Sequence, residues 1–263
     1  MAIEARYGDV AVEVRADGVV VLEIQRAPNN FFDAALIGAL SDVYEAIDAE
    51  PGCRAIVLAA AGKHFCAGAN FSAQAAGTQP TSRDTSNDLY MQAARLLEAK
   101  TPVVAAVHGA AIGGGLGLAC SADFRVGCGE TRMASNFAQL GFHHGFGLTI
   151  TLPPIVGQQK ALEMLFTGRR LDGEESYRIG LLDRLVAPEE VRGEAIRFAG
   201  EIASSAPLAV RSIRATMRGN IGERYRAATT HEGKEQAWLR ATQDFREGIR
   251  ASAERREPKF EGR

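Results

Sequence analysis

A crowded run of glycines sets the tightest limit on how this chain can fold. Residues 111–119 read Ala-Ile-Gly-Gly-Gly-Leu-Gly-Leu-Ala and come soon after the apolar run Val103–Val107. Glycines gather where the backbone turns sharply or where another group approaches the main chain closely. A helix start follows, so unpaired N–H groups and the positive helix end point to one place and can hold negative charge. A plain strand-to-helix turn with packing glycines accounts for this stretch equally well.

A second stretch of small residues favours the charge-holding interpretation. Residues 62–70 read Gly-Lys-His-Phe-Cys-Ala-Gly-Ala-Asn and follow another apolar run, Ala55–Ala60. Two strand ends, each followed by a small-residue turn, can place two backbone N–H donors around one oxygen atom. Together the two stretches resemble the crotonase superfamily, the enoyl-CoA hydratase/isomerase family. The resemblance covers nearly the whole chain and includes the ending from Asp244-Phe245-Arg246 to Gly262.

Length, charge and cysteine usage exclude several classes of protein. The chain has 263 residues, 46% of them hydrophobic, which suits one domain with a large core and a helical appendage. A net charge of -2 argues against a nucleic-acid partner. The N-terminus has no apolar signal segment, and no apolar run approaches the ~20 residues that span a bilayer, so we expect a cytoplasmic protein without a membrane partner. The four cysteines show no Cys-x-x-Cys spacing and are interpreted as reduced thiols, with Cys66 a packing residue.

The order of patterns along the chain predicts an α/β fold. A hairpin of Val10–Val14 and Val19–Ile24 opens the chain, and helical periodicity covers residues 33–47. Residues 72–85 are predicted as a loop that could cover a site. Later strands are predicted at Ala55–Ala60, Val103–Val107 and 123–126, and helices at 158–166, 189–203, 208–217 and in one long final pattern containing Trp238, Thr242, Phe245 and Ile249. Strands alternating with helices are typical of α/β proteins.

The resemblance sharpens this fold class beyond what periodicity gives. It implies a spiral of β-β-α turns with a helical C-terminal region that mediates trimerisation. We therefore expect an acyl-CoA-binding core in residues 1–195, a helical region in 196–263, and a homotrimer or a hexamer built as a dimer of trimers.

The resemblance also implies the substrate and the central chemistry. The substrate is an acyl-CoA thioester, so coenzyme A belongs to the substrate and no separate cofactor is expected. By position, the N–H groups of Ala69 and Gly114 hold the thioester oxygen. Removing an α-proton, or adding a nucleophile at the β-carbon, drives charge onto that oxygen, and two fixed donors stabilise it.

The acid and base residues of the common family members are missing. Hydratases of the family carry two glutamates, whose positions are occupied here by Gly117 and Phe137. Some isomerases carry an aspartate where this chain has Gly145. These departures argue against hydration by the usual route through two glutamates.

Two adjacent histidines on the same segment are candidate replacements. His143 and His144 could transfer protons because the pKa of histidine lies near neutrality. A surface or supporting role is the alternative for each, and adjacent histidines do not suit a shared metal, so no metal site is expected. Tyr90, Asp84 and Asp88 are further candidate donors, although solvated side chains are the plainer interpretation.

Five residues are candidates for binding the coenzyme. Arg26 could pair with phosphate, and Asn30 shares its loop. Ala67 belongs to the turn that carries Ala69, and Lys259 and Phe260 resemble C-terminal residues that reach a neighbouring subunit's nucleotide. For the acyl chain, Phe31, Phe32, Phe137 and Phe142 suggest an apolar pocket, although core packing also explains phenylalanines.

Two functions remain open at this point. The leading hypothesis is an acyl-CoA enzyme that stabilises an enolate, by double-bond shift, hydration or hydrolysis. The alternative is a non-catalytic acyl-CoA-binding protein that has lost its carboxylates. A dinucleotide-binding role fails because Leu118 occupies the last position of the Gly-x-Gly-x-x-Gly pattern that begins at Gly113.

Overall fold

The computed structural model describes residues 3–70 and 83–263. The strands are Arg6–Tyr7 (β1), Val10–Val14 (β2), Val19–Ile24 (β3), Ala55–Ala60 (β4), Val103–Val107 (β5), Ala110–Ile112 (β6), Phe124–Cys128 (β7), Arg132–Ala134 (β8), Leu171–Asp172 (β9) and Arg184–Val186 (β10). The helices are Ala34–Ala49 (α1), Arg83–Glu98 (α2), Gly114–Ser121 (α3), Leu148–Val156 (α4), Gln158–Thr167 (α5), Gly173–Arg178 (α6), Val191–Ala203 (α7), Pro207–Arg218 (α8), Ile221–Leu239 (α9) and Gln243–Glu254 (α10). Short 3-10 turns occupy Ala138–Leu140 and Pro188–Glu190.

A mostly parallel sheet forms the centre of the molecule. Its seven strands run in the order β1-β2-β3-β4-β5-β7-β10, antiparallel in the opening hairpin and parallel from β3 onward. The central strands are apolar on both faces, so each face requires its own cover. Alternate residues such as Leu22 and Ile56 pack towards α1, whereas Val21 and Val57 pack towards α7. Both predicted strands of the centre, β4 and β5, are confirmed with their bounds.

A second sheet lies beside the carboxyl ends of β4 and β5. It contains β6, β8 and β9, with β6 parallel to β8 and β9 antiparallel to it. An isolated bridge joins Cys66, in the turn after β4, to Ala111 in β6. The turns that follow two neighbouring strands of the main sheet are therefore tied to each other.

The first helix begins where the sequence indicated. Asp33 caps α1, because its side chain accepts a hydrogen bond from the Leu36 N–H at 2.9 Å. The apolar face is buried through Leu36, Leu40, Val43 and Ile47. The predicted helix over residues 33–47 and the predicted hairpin before it are confirmed.

The second half of the chain differs from the prediction in two places. Besides the predicted helices it contains two strands that the sequence did not predict, β9 and β10, and β10 adds a parallel strand beside β7. The long final pattern is two helices, since Thr242 has extended backbone angles and its hydroxyl caps α10 by accepting from the Phe245 N–H at 3.1 Å.

Two further predictions remain untested. The division at residue 195 falls inside α7, which packs against the sheet as one helix. Most of the predicted covering loop, residues 72–85, and the Asp84 side chain lie outside the described residues. In the part of the chain that is described, no helix has the length and apolarity needed to cross a membrane.

A buried ion cluster fastens α8 to the sheet. The carboxylate of Asp123 accepts hydrogen bonds from the Val103 N–H at 2.8 Å, from Arg214 at 2.9 Å and from Arg218 at 2.9 Å. Burial opposes the charge on Asp123, but the guanidinium groups of Arg218 and Arg214 outweigh it and lower its pKa. Burial also lowers the pKa of Arg218, yet a guanidinium stays charged in a protein, so the cluster is ionic.

We expect Asp123→Asn to lower the free energy of unfolding by about 3–5 kcal/mol, because two buried guanidinium groups lose their anion. Urea denaturation followed by circular dichroism measures this change. Glu98→Gln is the matched control, since it breaks the exposed ion pair with Arg226 and should cost less than about 1 kcal/mol. Equal costs for the two variants would contradict a stabilising role for the cluster.

Candidate active site

Backbone hydrogen bonds hold the two small-residue turns side by side. The Cys66 N–H donates to the Ala110 carbonyl at 3.0 Å, and the Ile112 N–H donates to the Cys66 carbonyl at 3.0 Å. Burial raises the pKa of the Cys66 thiol to about 12, so this cysteine is a neutral packing residue and not a nucleophile. Main-chain pairing therefore fixes the distance between the segments that carry residues 69 and 114.

Glycine is required at the contact between the turns. Gly68 has a φ of 87°, and a β-carbon there would lie 2.7 Å from the Ile112 carbonyl oxygen and 3.7 Å from the Gly114 nitrogen. A β-carbon on Gly115 would collide with the Cys66 carbonyl. The backbones approach each other as closely as the crowded glycines suggested.

The amides predicted to act together line one cleft. Ala69 follows Gly68 in the first turn, and Gly114 is the first residue of α3. Among the described residues, neither amide N–H donates to an acceptor. Both residues thus line a shared space, and Gly114 begins a helix whose dipole favours negative charge there.

The cleft is large and its inner part is aromatic. Its volume is about 1010 Å³. Phe32 and Phe146 lie with ring centroids 5.3 Å apart next to Gly114, and Phe137 and Phe142 form a second pair at 5.3 Å. With Phe31, these rings give the apolar lining that the sequence suggested.

Aromatic groups fill the places where carboxylates were expected. A β-carbon on Gly117 would lie 2.7 Å from the β-carbon of Phe146, so this ring takes up the space beside Gly117. Phe137 is buried and lines the cleft. A side chain on Gly145 would collide with the hydroxyl of Tyr90. At Gly117 and Gly145 a carboxylate could not be introduced without displacing Phe146 or Tyr90.

Polar groups enter the cleft from α2 and from the end of α9. Tyr90 donates to Oε1 of Gln236 at 3.3 Å, and Arg240 donates to the same oxygen at 3.2 Å. The amide nitrogen of Gln236 donates to the His143 carbonyl at 3.1 Å. Tyr90 is therefore not the solvated side chain that the sequence favoured. The spacing of four residues between Gln236 and Arg240 on a helical pattern was the available signal for a shared face.

A buried glutamate holds a strained turn at the cleft wall. Phe146 has a φ of 58°, which is rare for a bulky residue, and Gly147 follows at 68°. Glu232, fully buried on α9, accepts from the N–H groups of Gly147 at 2.9 Å and Thr149 at 3.1 Å. The carboxylate thereby keeps the Phe146 ring against Gly117. Sequence reasoning missed Glu232, although it lies four residues before Gln236.

The structure does not bring His143 or His144 to the cleft. Their rings stack on each other at 4.1 Å, and neither lines the space beside Ala69 and Gly114. Nδ1 of His143 lies 2.8 Å from the His144 carbonyl, and Nε2 of His144 lies 2.9 Å from the Thr149 hydroxyl. Both rings lie against α9, where the ring of His143 is 6.1 Å from the His231 ring and Nε2 of His144 is 3.8 Å from Glu232. The proton transfer expected of one of them stays a prediction.

The candidates for binding the coenzyme separate into three groups. Arg26 and Ala67 line the cleft, but Arg26 is already paired with Asp9 at 2.6 Å and with Asp33 at 2.9 Å. Asn30 is fully buried, and its amide donates to the carbonyls of Ala61 and His64, so it supports the loop and does not contact a ligand.

The remaining two candidates lie near the end of the chain. Lys259 and Phe260 are away from the cleft of their own chain, where the Lys259 N–H donates to Glu247 at 3.0 Å. Their expected role concerns a neighbouring subunit and stays a prediction.

Sequence reasoning assigned no role in the cleft to three residues at its rim. His64, Arg132 and Arg170 line the cleft together with Arg26. Among the described residues, Arg132 and Arg170 have no ion-pair partner, whereas Arg26 has two. Burial lowers the pKa of His64, and Lys63 and Arg170 act in the same direction, so the rim is positive without a charge on His64. Arg132 begins β8 and Arg170 directly precedes β9, and no spacing in the sequence connects them.

Known proteins match this chain over nearly its full length. A sequence profile described as "Enoyl-CoA hydratase/isomerase" matches residues 14–263. A crotonyl-CoA hydratase from Syntrophomonas wolfei is 32% identical over 257 residues, which cover 97% of this chain and 98% of that protein. A carnitinyl-CoA dehydratase from Proteus mirabilis is 34% identical over 250 residues, covering 92% and 95%.

A crystal structure described as an enoyl-CoA hydratase/isomerase from Pseudoalteromonas atlantica has the same fold. It superposes with a TM-score of 0.84 at 28% identity, covering 96% of this chain and 100% of that one. The predicted α/β fold with C-terminal helices is confirmed.

We expect His144 to stay neutral well below the pH at which a free histidine is protonated. Burial is the main cause, and the neighbouring His143 and His231 act in the same direction, so its pKa is lowered to about 3. The unfolded chain then binds the extra proton, so stability falls as the pH drops below about 6.5. Between pH 7.5 and pH 5 this residue should lower the free energy of unfolding by about 2 kcal/mol. The variant His144→Gln should lack that part of the pH dependence. An NMR titration with a His144 midpoint above pH 6 would contradict the assignment.

Proposed function

The chain belongs to the enoyl-CoA hydratase/isomerase family, and we propose that it binds an acyl-CoA thioester and stabilises its enolate. The observation that carries this proposal is the pair of amides, from Ala69 and Gly114, on one cleft with no acceptor among the described residues. The thioester oxygen would accept from both.

Enolate formation is the step that this arrangement suits. Loss of an α-proton, or addition at the β-carbon, moves negative charge from carbon to the thioester oxygen. Fixed donors stabilise that charge without reorganising, and each is worth about 2.7–4 kcal/mol in comparable sites. The rings of Phe32, Phe137 and Phe146 give the inner cleft an apolar lining. In such surroundings the interaction of an N–H donor with a negative oxygen is stronger than in water.

Within this family we favour proton transfer at the α-carbon, by hydration, dehydration or double-bond shift. The relatives from Syntrophomonas wolfei and Proteus mirabilis carry the names of a hydratase and a dehydratase, which suits this class of reaction. Because Gly117, Phe137 and Gly145 offer no carboxylate, this chain would use another acid.

A non-catalytic acyl-CoA-binding protein is the second candidate. The specific observation in its favour is the loss of carboxylates at all three positions, with Phe146 packed against Gly117. Such a protein would keep the affinity for the thioester and lose turnover.

The nucleotide end of the coenzyme would lie at the positive rim of the cleft. Arg132 and Arg170 are exposed there and have no ion-pair partner among the described residues, so phosphate groups could accept from them. Arg26 is a weaker candidate because Asp9 and Asp33 already compensate its charge.

The trimer or hexamer implied by the resemblance stays a prediction. Exposed apolar side chains on α8 support the association of copies, since Leu208 is 81% and Met217 80% exposed in the single chain.

We expect Gly114→Ala to lower kcat/KM for acyl-CoA thioesters by about 100-fold or more, because the new methyl group collides with Phe32 and displaces the amide. Turnover of a panel of enoyl-CoA thioesters, followed at the thioester absorbance, measures this. Gly200→Ala in α7 makes the same change where the methyl group meets open space, and it should keep full activity. Tight binding by the unmodified protein without turnover of any thioester would favour the second candidate.

We expect Arg170→Ala to raise KM for a CoA thioester about threefold to tenfold, because an exposed phosphate contact is lost. The corresponding pantetheine thioester lacks the nucleotide, so its KM should not change. Arg178→Ala removes a guanidinium that is 73% exposed and lies outside the cleft, and it serves as the control. An equal effect on both thioesters would place the nucleotide elsewhere.

A further inference from the structure

The hydroxyl of Tyr90 lies where the acid residue of an isomerase was expected. A β-carbon on Gly145 would come within 3.3 Å of Tyr90 Cζ and collide with its hydroxyl oxygen. The phenol reaches this point from α2 and lies against the segment that carries Gly145. A hydroxyl from another helix thus occupies the space of the missing carboxylate.

A hydrogen bond fixes the direction of this hydroxyl. It donates to Oε1 of Gln236 at 3.3 Å. Gln236 is itself held, since it donates to the His143 carbonyl at 3.1 Å and accepts from Arg240 at 3.2 Å. The bond that Tyr90 donates is the longest of these, so a ligand atom can compete for its proton.

The hydroxyl and the amide pair belong to one site. Phe146 packs its ring against Phe32, and both rings lie against Gly114. Tyr90, Ala69 and Gly114 all line the same cleft. A thioester whose oxygen reaches the amides would therefore lie in the cleft that Tyr90 also lines.

Tyr90 is also in the protonation state that an acid requires. Burial, aided by Glu232, raises its pKa to about 12, so the phenol keeps its proton throughout the neutral range. Other groups of the cleft are committed elsewhere. Asp33 caps α1 and pairs with Arg26, and Nδ1 of His64 accepts from the Ala110 N–H at 3.2 Å.

We infer that Tyr90 is the catalytic acid of this site and delivers a proton to the α-carbon of the thioester enolate. The inference rests on the proposed function, since it supplies the group that the enolate site otherwise lacks. Gln236 is the positioning residue, because it orients the phenol without contacting the substrate.

The step balances with water as the only other reactant. The electron pair of the enolate double bond forms the new C–H bond at the α-carbon, and the thioester C=O is restored. The phenol O–H bond breaks and leaves its pair on the oxygen of Tyr90, where the positive charge of Arg240 favours the phenolate. In hydration the oxygen of water adds to the β-carbon, one of its protons stays on that oxygen, and the other returns to the phenolate.

Tyr90→Phe, which keeps the ring and its packing, is the direct test. We expect kcat on enoyl-CoA thioesters to fall about 100-fold to 10,000-fold, with KM within about threefold of the original value. Deuterium incorporation at the α-carbon in D₂O, read by mass spectrometry of the acyl-CoA, should fall by the same factor. Tyr177→Phe, on a side of α6 where that tyrosine is 49% exposed, is the matched control and should leave both rates unchanged.

A second variant keeps the test valid if Tyr90→Phe folds poorly. Replacing Tyr90 by 3,5-difluorotyrosine retains the hydroxyl and lowers its pKa. The alkaline limb of the kcat profile should then move to lower pH, because the acid form is lost earlier. A residue that only packs would leave this limb in place.

The outcomes separate the two proposals. No turnover and no exchange by the unmodified protein on any thioester would defeat the proposed function itself. Turnover by the unmodified protein that Tyr90→Phe retains within about fivefold, or an alkaline limb unmoved by fluorination, would overturn the assignment of Tyr90 and leave the enolate site standing.

Discussion

The pairing of Cys66 with the strand Ala110–Ile112 is the contact on which the site depends. Neighbouring parallel strands bring two connections to one edge of the sheet, but only direct backbone hydrogen bonds fix those connections to each other. Glycines at 68 and 115 permit the approach, since any side chain there would meet a carbonyl oxygen. A site built from main-chain groups persists while the side chains around it change.

The replaced carboxylates form a connected set of changes. The Phe146 ring fills the space that a side chain at position 117 would occupy, so glycine there is compatible with Phe146. In the same way, glycine at 145 leaves room for the Tyr90 hydroxyl. The strained turn at Phe146 is held by Glu232 from α9. Restoring one carboxylate would therefore require altering its partner as well, as cores tolerate coordinated changes better than single ones.

The sequence predicted what local pattern and chain order determine. Strands such as Ala55–Ala60 are apolar over their whole length, and the turns after them carry their own glycine signature, so the sheet could be predicted and the two turns assigned to one cleft. Neither His143 nor His144 lines the cleft, since position in a segment does not determine the direction of a side chain, and their role in proton transfer stays a prediction. The contact of Tyr90 with Gln236 joins residues 146 apart in the chain, and no local pattern reports such a pair.

The dependence of the turn at Phe146 on Glu232 has a consequence for how the protein is made. Ribosomes release a chain from its N-terminus, so the sheet and the glycine turns emerge before α9 does. Until that helix docks, the loop at 146–149 lacks its anchor and the phenylalanine-lined cavity has no complete wall. A nascent or prematurely terminated chain would thus expose an apolar surface to chaperones and proteases. That surface is buried only after translation of α9 is complete.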